Sequence, residues 1–262
     1  MGNSLKISVL LSCMALAACS SSPTGRNQLI LFSDQDMSSL GDQSFEQMKK
    51  EIPINHDAKT NAYVQCVAKT VTDYVPKQPS FDSWEVVVFE SDQVNAFALP
   101  GGKIGVYTGL LKVATNQDQL ATVIGHEVAH VLANHSNERL SQSQIANAGL
   151  QITQVAIGAS EYAQYKEATM AALGVGVQYG VILPYGRTQE SEADIVGLEL
   201  MAKAGFNPKE SVSLWQNMAK ASGGSQPPEL LSTHPSHSTR IHDLEEKIKT
   251  LPASSATRPK CR

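Results

Sequence analysis

The order of apolar and polar residues divides the chain into helical segments around one short stretch of strands. Helical signals, namely apolar residues at intervals of three and four with flanking caps or stop residues, mark residues 33–51, 57–75, 116–134, 188–204, 212–220 and 237–251. Ser33 and Asp34 are cap candidates for the first of these helices, and Asn116 is one for the third. Residues 84–90 are rich in β-branched and aromatic side chains, which predicts a strand. Pro-Gly-Gly interrupts the apolar run 94–111, which predicts two strands joined by a tight turn. We therefore expect an α+β, mostly helical fold with a small β-sheet.

The segment 145–183 is rich in Ala and Gly and predicts a hairpin of amphipathic helices. It contains no run of 18 apolar residues, so a transmembrane helix is disfavoured there. Two roles stay open for this hairpin, namely covering a site on the body of the protein and touching a membrane surface.

The N-terminus has the pattern of a bacterial lipoprotein signal. Lys6 precedes an apolar run of about a dozen residues, and the run ends in Leu-Ala-Ala-Cys, which resembles a lipobox. We predict that residues 1–18 are a cleaved signal peptide, that Cys19 is lipidated, and that residues 19–31 tether this anchor to the body. Ser20 after the lipidated cysteine favours the periplasmic face of the outer membrane. The alternative is a plain signal peptide with an unmodified Cys19.

Composition and charge narrow the class of protein. The 262 residues carry a formal net charge of -4 and no run of Lys and Arg, which argues against a nucleic acid partner. The length suits one catalytic domain, predicted as residues 32–252, followed by a tail at 253–262. In an oxidising compartment Cys66 and Cys261 are candidates for a disulfide, but the sequence does not show whether they meet.

The candidate chemistry is concentrated in the sequence HEVAH. His126 and His130 are four positions apart on the predicted helix 116–134, so both rings face the same side and are able to bind one ion. Zinc accepts imidazole nitrogens and leaves one position for water in catalytic sites. Glu127 lies on a neighbouring face, where its expected role is general base toward the attacking water. This pattern predicts a zincin-type metallopeptidase site with one Zn²⁺ per chain.

The third zinc ligand does not follow directly after HEVAH. A metzincin has Gly and His where this chain has Ala133 and Ser136, so that subfamily is excluded. His135 comes one residue too early and is expected on a different face of the helix. The ligand must therefore come from another segment of the chain.

The best source of a carboxylate ligand is the acidic stretch QESEAD on a second predicted helix. Glu190 and Asp194 are four residues apart and share a face of that helix. We assign Glu190 to zinc and expect Asp194 to orient a ligand histidine through its second ring nitrogen. Glu192 points elsewhere on the helix and is expected to be solvated.

Four motifs together resemble one known family. HEVAH is followed by QESEAD, preceded by NAFALPGGKIGVYTGLL and trailed by LSTHPSHSTRI. In this order and spacing they resemble the HtpX-like, CAAX-prenyl-protease-type family of zinc metallopeptidases, and within it the soluble periplasmic lipoprotein branch of LoiP-like and BepA-like proteins. The resemblance covers residues 30–252 of this chain approximately.

The resemblance implies roles for individual residues. It implies the zinc ligands and the catalytic glutamate at His126, His130, Glu190 and Glu127, and the family's paired aspartate at Asp194. His234 matches a late His-Pro motif, with two functional roles open: a fourth zinc ligand that blocks water, or an oxyanion stabiliser. A loop histidine that caps the final helix is the structural alternative. Arg240 matches a late arginine, for which a salt bridge that holds the Glu190 helix is the structural alternative.

The stretch NAFALPGG predicts where a substrate binds. Zinc endopeptidases of this type hold an extended substrate against an edge strand through backbone hydrogen bonds. Residues 94–99 are the candidate strand, with Asn95, Ala96 and Phe97 as the predicted substrate strand and the first two nearest the metal. The alternative is a plain hairpin strand of the core.

The resemblance implies a zinc-dependent endopeptidase of the bacterial envelope that degrades unfolded or misassembled periplasmic and outer-membrane proteins. A membrane is the second expected partner, through the lipid at Cys19. Three alternatives stay open: a non-hydrolytic chaperone or adaptor that uses the same groove, a latent zymogen blocked by His234, and a hydrolase of peptidoglycan peptides. Glu127 favours chemistry, because a binding protein does not need this residue. The sequence does not indicate the oligomeric state.

Overall fold

A small sheet lies between helices, and further helices pack around the one that carries HEVAH. The computed structural model of the chain describes residues 19–160, 164, 166–177, 183–221 and 237–262. The strands are β1 (Cys19–Ser21), β2 (Asn27–Leu29), β3 (Glu85–Phe89), β4 (Ala96–Leu99) and β5 (Lys103–Tyr107). The helices are α1 (Asp34–Glu51), α2 (Ala58–Thr72), α3 (Gln117–Leu132), α4 (His135–Gly158), α5 (Lys166–Val177), α6 (Leu183–Lys203), α7 (Glu210–Ala221) and α8 (His237–Thr250).

The three-stranded sheet has β5 at its centre. This strand runs parallel to β3 and antiparallel to β4, so within the described part of the chain β4 is an edge strand. One face of the sheet packs Phe89 and Phe97 against Phe45 of α1. The other face places Val106 in the main core with Ile124 of α3. Burial of each such side chain stabilises the fold by about 1.5–3 kcal/mol, and it fixes α3 against the sheet.

Side-chain caps define where several helices begin. The Ser33 hydroxyl accepts the backbone N–H of Asp36, whose carboxylate accepts the N–H of Ser33 in return, and Asp57 caps α2 with its own carboxylate. Asn116 accepts the N–H of Gln119 at 2.9 Å and so starts the helix that carries HEVAH. The predicted caps at Ser33 and Asn116 are thereby confirmed.

The predicted helices and strands are present with small shifts of their bounds, except between α3 and α6. Asn134 adopts a left-handed conformation with φ 52°, and α4 begins directly after it, ten residues before the segment in which we expected a helical hairpin. The helix α6 begins at Leu183 rather than at 188. Proline is tolerated in the first turn of a helix, so Pro184 is compatible with this earlier start. Helices α4 and α5 do contact each other. None of the helices in the described ranges combines the length and the hydropathy needed to cross a membrane.

The residues predicted as a tether are bound to the body of the protein, which corrects that interpretation. β1 and β2 form an antiparallel hairpin. The Gln28 side chain donates to the carbonyl oxygen of Ala133 at 2.5 Å, and the N–H of Leu31 donates to the Ser141 hydroxyl at 3.0 Å. The hairpin therefore lies against the start of α4. The predicted lipidation of Cys19 stays a prediction.

The C-terminal tail is also attached to the body. Cys66 of α2 and Cys261 form a disulfide, so the two candidate cysteines do meet. Near the bridge, the N–H of Cys261 donates to the side chain of Gln117 at 2.9 Å, and Arg258 forms an ion pair with Asp118. The tail thus crosses the first turn of α3 and secures the N-terminal end of the helix that carries HEVAH.

Candidate metal centre

The candidate centre is built where α3 and α6 lie backbone to backbone. A Cβ atom added to Gly197 would lie 2.6 Å from the backbone nitrogen of His126, and one added to Gly125 would lie 2.8 Å from the carbonyl oxygen of Gly197. The two helices therefore come closer than any side chain at these positions would allow. This approach brings Glu190, about two turns before Gly197 on the same helix, next to the histidines of α3.

The three predicted ligands converge on one point. The Nε2 atoms of His126 and His130 are 3.1 Å apart. The carboxylate of Glu190 lies 3.4 Å from the first of these nitrogens and 3.3 Å from the second. All three side chains are buried, and among the described residues they form the group able to hold a metal ion.

This donor set fits a divalent cation. Two imidazole nitrogens that face each other beside a carboxylate need a positive charge between them, which is either a proton or a metal ion. Burial lowers the pKa of His126, but hydrogen bonds to Asp194 and Glu190 outweigh burial and raise that pKa to about 9. Burial lowers the pKa of His130 to about 4. Two imidazoles and one carboxylate match the nitrogen and oxygen ligands of a catalytic zinc, and zinc binding would displace the proton.

Asp194 orients His126, as the sequence predicted. Its Oδ1 atom lies 2.9 Å from Nδ1 of His126 and accepts a hydrogen bond from the ring N–H there, which leaves Nε2 free to face the cation. Arg240 of α8 donates to both carboxylate oxygens of Asp194, at 2.8 Å and 2.5 Å. The guanidinium also lies 3.5 Å from Glu190 and stacks on the ring of Trp215. Burial raises the pKa of Asp194, but the charge of Arg240 and its hydrogen bonds outweigh burial and lower it.

Two residues that the sequence analysis set aside belong to the surroundings of the site. His135 was expected on another face, but the left-handed turn at Asn134 brings its Nδ1 within 2.7 Å of Nδ1 of His130. Glu192 was expected in solvent, but it is buried, and its carboxylate accepts from Nε2 of His135 at 3.1 Å. His135 is not among the candidate metal ligands, as expected, but its contact with His130 was not predicted. The expectation of a solvated Glu192 was wrong, because the face of the helix that carries it is buried. Asn134, a residue type that tolerates positive φ, was the available signal for the break.

Glu127 lies on α3 between the ligands and the edge strand. Its side chain is partly buried, and burial raises the pKa of its carboxyl. The charge of His126 and a hydrogen bond from the backbone of Ala98 act in the opposite direction. The catalytic glutamate predicted from sequence therefore lies beside β4, the predicted substrate strand.

The register of β4 corrects which residues face its open edge. The backbone N–H of Tyr107 donates to the carbonyl oxygen of Asn95 at 3.1 Å, so Asn95 and Phe97 turn their backbone groups toward β5. Ala96 and Ala98 turn theirs toward the open edge. The ring of Phe97 packs in the aromatic cluster on the far face of the sheet. Of the three predicted substrate-strand residues, only Ala96 keeps its backbone groups at the edge.

The remaining predicted residues divide into placed and undescribed ones. Arg240 is buried and bonded to Asp194 and Glu190, which confirms the salt bridge considered for it. His234 lies outside the described residues, and so does the predicted signal peptide at residues 1–18. For Cys19 the structure describes the backbone in β1.

A helix that presents two histidines four positions apart, a glutamate between them and a carboxylate from a second helix define the HExxH class of metallopeptidase site. Residues 58–248 match the model of Peptidase family M48, and the chain belongs to this family. The resemblance drawn from the four sequence motifs is confirmed, and so is the mostly helical fold with a small sheet.

The chain is similar to two groups of named proteins. It is 32% identical over 239 residues to the mitochondrial metalloendopeptidase OMA1 of Bos taurus, which covers 86% of this chain and 45% of the relative. It is 32% identical over 197 residues to the mitochondrial metalloendopeptidase OMA1 of Saccharomyces cerevisiae, covering 70% and 54% respectively. It is 29% identical over 225 residues to the beta-barrel assembly-enhancing protease of Yersinia pestis, covering 83% and 45%. The chain spans about half the length of these relatives.

Proposed function

We propose that this chain is a zinc-dependent endopeptidase of the bacterial envelope that cleaves unfolded or misassembled envelope proteins. The convergence of His126, His130 and Glu190 beside Glu127 is the observation that carries this proposal. Membership of Peptidase family M48 and the metalloendopeptidase names of the relatives support a hydrolytic role. The relatives named beta-barrel assembly-enhancing protease support an envelope substrate, whereas the OMA1 relatives are mitochondrial.

The chain's own residues supply the positioning and the proton transfer. Zinc held by the two histidines and Glu190 would polarise the scissile carbonyl and activate water. Glu127 would accept a proton from the attacking water and later donate it to the leaving amine. A raised pKa suits this double role, because the carboxyl must both accept and release a proton near neutral pH. His234 is our candidate for a donor to the developing oxyanion.

The open edge of β4 is the proposed substrate-binding strand. The backbone N–H and C=O groups of Ala96 and Ala98 point away from β5, and Ala98 lies beside Glu127. An extended peptide that paired with this edge would lie along the catalytic glutamate. Such pairing requires an unfolded segment of substrate, which favours unfolded or misassembled proteins over folded ones.

Replacement of one outward backbone donor tests this mode of binding. In Ala96→Pro the N–H at the open edge is lost while the hydrogen bonds between β4 and β5 remain, and proline is tolerated at such edge positions. We expect KM for an unfolded substrate such as casein to rise several-fold while the zinc content stays unchanged. Asn95→Ala, which keeps every backbone donor, is the matched control. An unchanged KM in Ala96→Pro would remove β4 as the substrate strand.

The proposed location depends on lipidation of Cys19. We propose that residues 1–18 are removed and that the lipid holds the protein at the periplasmic side of the outer membrane. Expression of the full chain in a bacterium with labelled palmitate should label the wild type and place it in the outer-membrane fraction. Cys19→Ser should lose the label and appear in the soluble fraction. Label that persists in Cys19→Ser, or unlabelled wild type, would contradict the anchor.

A further inference from the structure

We propose that His135 and Glu192 are positioning residues for the metal ligand His130, and that the N-terminal hairpin of β1 and β2 completes the metal site through Arg26. This inference rests on the proposed function, because it concerns how the metal ligand is held. It goes beyond that function in assigning a role to residues before the family's matched range, which begins at residue 58.

A chain of contacts starts at His130. Nδ1 of His130 lies 2.7 Å from Nδ1 of His135, and Nε2 of His135 lies 3.1 Å from Oε2 of Glu192. His135 has no exposed surface, and Glu192 is also buried. Three side chains thus form a continuous hydrogen-bonded path that begins at the ligand and ends at a carboxylate on α6.

This path admits one arrangement of protons that is compatible with His130 as a metal ligand. The carboxylate of Glu192 accepts hydrogen bonds from Ser22, Thr24 and Arg26, so it accepts from Nε2 of His135 as well. A neutral His135 then carries no proton on Nδ1, and Nδ1 of His130 must be the donor between the two rings. This arrangement leaves Nε2 of His130 without a proton and directs its lone pair toward His126 and Glu190.

The N-terminal hairpin of β1 and β2 holds the far end of this path, at Glu192. Arg26 donates to Oε2 of Glu192 from Nε at 3.1 Å and from Nη2 at 3.0 Å. The same guanidinium donates to both oxygens of Glu138 on α4, at 2.6 Å and 2.7 Å. Ser22 and Thr24 add hydroxyl donors to Glu192. One arginine of the hairpin therefore forms ion pairs with two buried carboxylates from two different helices.

The two ligand histidines are thus supported in parallel ways from opposite ends of the chain. His126 is oriented by Asp194, which Arg240 of α8 holds in place. His130 is oriented by His135 and Glu192, which Arg26 holds in place. Loss of Arg26 would leave two buried carboxylates without their cation, and buried charges without partners force local rearrangement. The position of His135, and through it that of His130, therefore depends on the docked hairpin.

Metal affinity and metal spectroscopy of the full chain test this proposal. Zinc affinity would be measured by competition with a chelator, and ligand geometry by the visible spectrum of the Co²⁺-loaded protein. We expect His135→Phe and Arg26→Met to weaken zinc binding about 10- to 100-fold and to shift the Co²⁺ bands. His135→Gln should recover most of the affinity, because its amide oxygen accepts from His130 while its amide nitrogen donates to Glu192.

Lys103→Met is the matched control for Arg26→Met. The two basic side chains have similar exposure, at 20% and 19%, and Lys103 also forms ion pairs with two carboxylates, Asp42 and Glu85, neither of which is a candidate metal ligand. Wild-type affinity and spectrum in both His135→Phe and Arg26→Met would overturn the proposal. It would equally be overturned if His135→Gln were as defective as His135→Phe, since the role would then be packing alone.

If His135→Phe does not fold, the comparison of Arg26→Met with Lys103→Met decides: equal zinc affinity and equal Co²⁺ spectra overturn the proposal. The wild-type measurement distinguishes a failure of the proposed function from a failure of this inference alone. Wild type that binds neither zinc nor Co²⁺ would contradict the proposed function together with this inference. Wild type that binds both metals, with variants that match it, would contradict this inference alone.

Discussion

Single protons and single charges determine whether the centre is able to bind a cation. Each ligand histidine has its Nδ1 atom bonded to a supporting residue and its Nε2 atom directed at the other ligands. The two Nε2 atoms are 3.1 Å apart. A side chain that reversed either arrangement would place a proton where the metal should be. The residues behind the ligands therefore matter as much for metal affinity as the ligands themselves.

Arg240 is the residue at which charge and packing act together. It is 4% exposed, bonds Asp194 and Glu190, and stacks on Trp215. Arg240→Met keeps much of the side-chain volume but leaves two buried carboxylates without their cation, so we expect the free energy of unfolding to fall by about 3–5 kcal/mol. Denaturant unfolding, monitored by circular dichroism, measures this change.

Arg258→Met is the control for that experiment. Arg258 also forms an ion pair with a buried aspartate, Asp118, but its own side chain is 62% exposed. Water replaces much of what an exposed side chain provides, so a loss of at most about 1 kcal/mol is expected. Equal losses in the two variants would show that burial of Arg240 contributes nothing specific to the site.

At the scale of secondary-structure elements, the centre depends on the close approach of α3 and α6. The helix that carries HEVAH contributes two ligands, and the third arrives only because Gly125 and Gly197 let the two backbones touch. No property of Glu190 alone creates this contact. The glycine pair is therefore as necessary to the site as the ligands are.

Gly197→Ala tests this packing. A Cβ there meets the backbone of His126 at 2.6 Å, so the helices must separate, and we expect a loss of about 1–3 kcal/mol in the free energy of unfolding, together with weaker zinc binding. Gly149→Ala in α4 is the matched control, because a Cβ at that position meets no atom within 4 Å. The control should be neutral or stabilising by up to about 1 kcal/mol, since alanine favours helices. Wild-type zinc affinity in Gly197→Ala would contradict the role of close packing.

The sequence predicted those parts of the fold that depend on local periodicity. HEVAH on a helix, the strand at residues 84–90, the caps at Ser33 and Asn116 and the choice of Glu190 all follow from spacing and residue type. The burial of Glu192 and the return of His135 depend on a single left-handed residue and on a hairpin distant in sequence. Periodicity carries no information about such contacts, which is why neither contact was predicted.

The sequence did not show which backbone groups of β4 face its open edge, for a related reason. Alternation along a strand identifies two faces and two edges but does not show which edge a neighbouring strand occupies. The pairing of Asn95 with Tyr107 decides this, and it moves the open backbone groups to Ala96 and Ala98. A prediction from sequence was able to find the strand but not its orientation at the site.

At the scale of the whole molecule, both ends of the described chain are fastened to the helices of the site. The N-terminal hairpin bonds α4 and α6 through Arg26, and the C-terminal tail is joined to α2 by the disulfide and to the start of α3 by Gln117. Residues predicted as tether and tail are thereby part of the body that presents the centre.

The central claim is that His126, His130 and Glu190 hold a zinc ion and that Glu127 carries out proton transfer in peptide hydrolysis. The most direct test is to measure zinc content and casein cleavage side by side in wild type, Glu127→Gln and Glu246→Gln. The last variant is the control, because it makes the same change at an exposed glutamate of α8. The account predicts about one zinc in each protein, cleavage by wild type and control, and a rate about 10²- to 10⁴-fold lower in Glu127→Gln. Absence of zinc from the wild type, or cleavage that does not depend on Glu127, would contradict it.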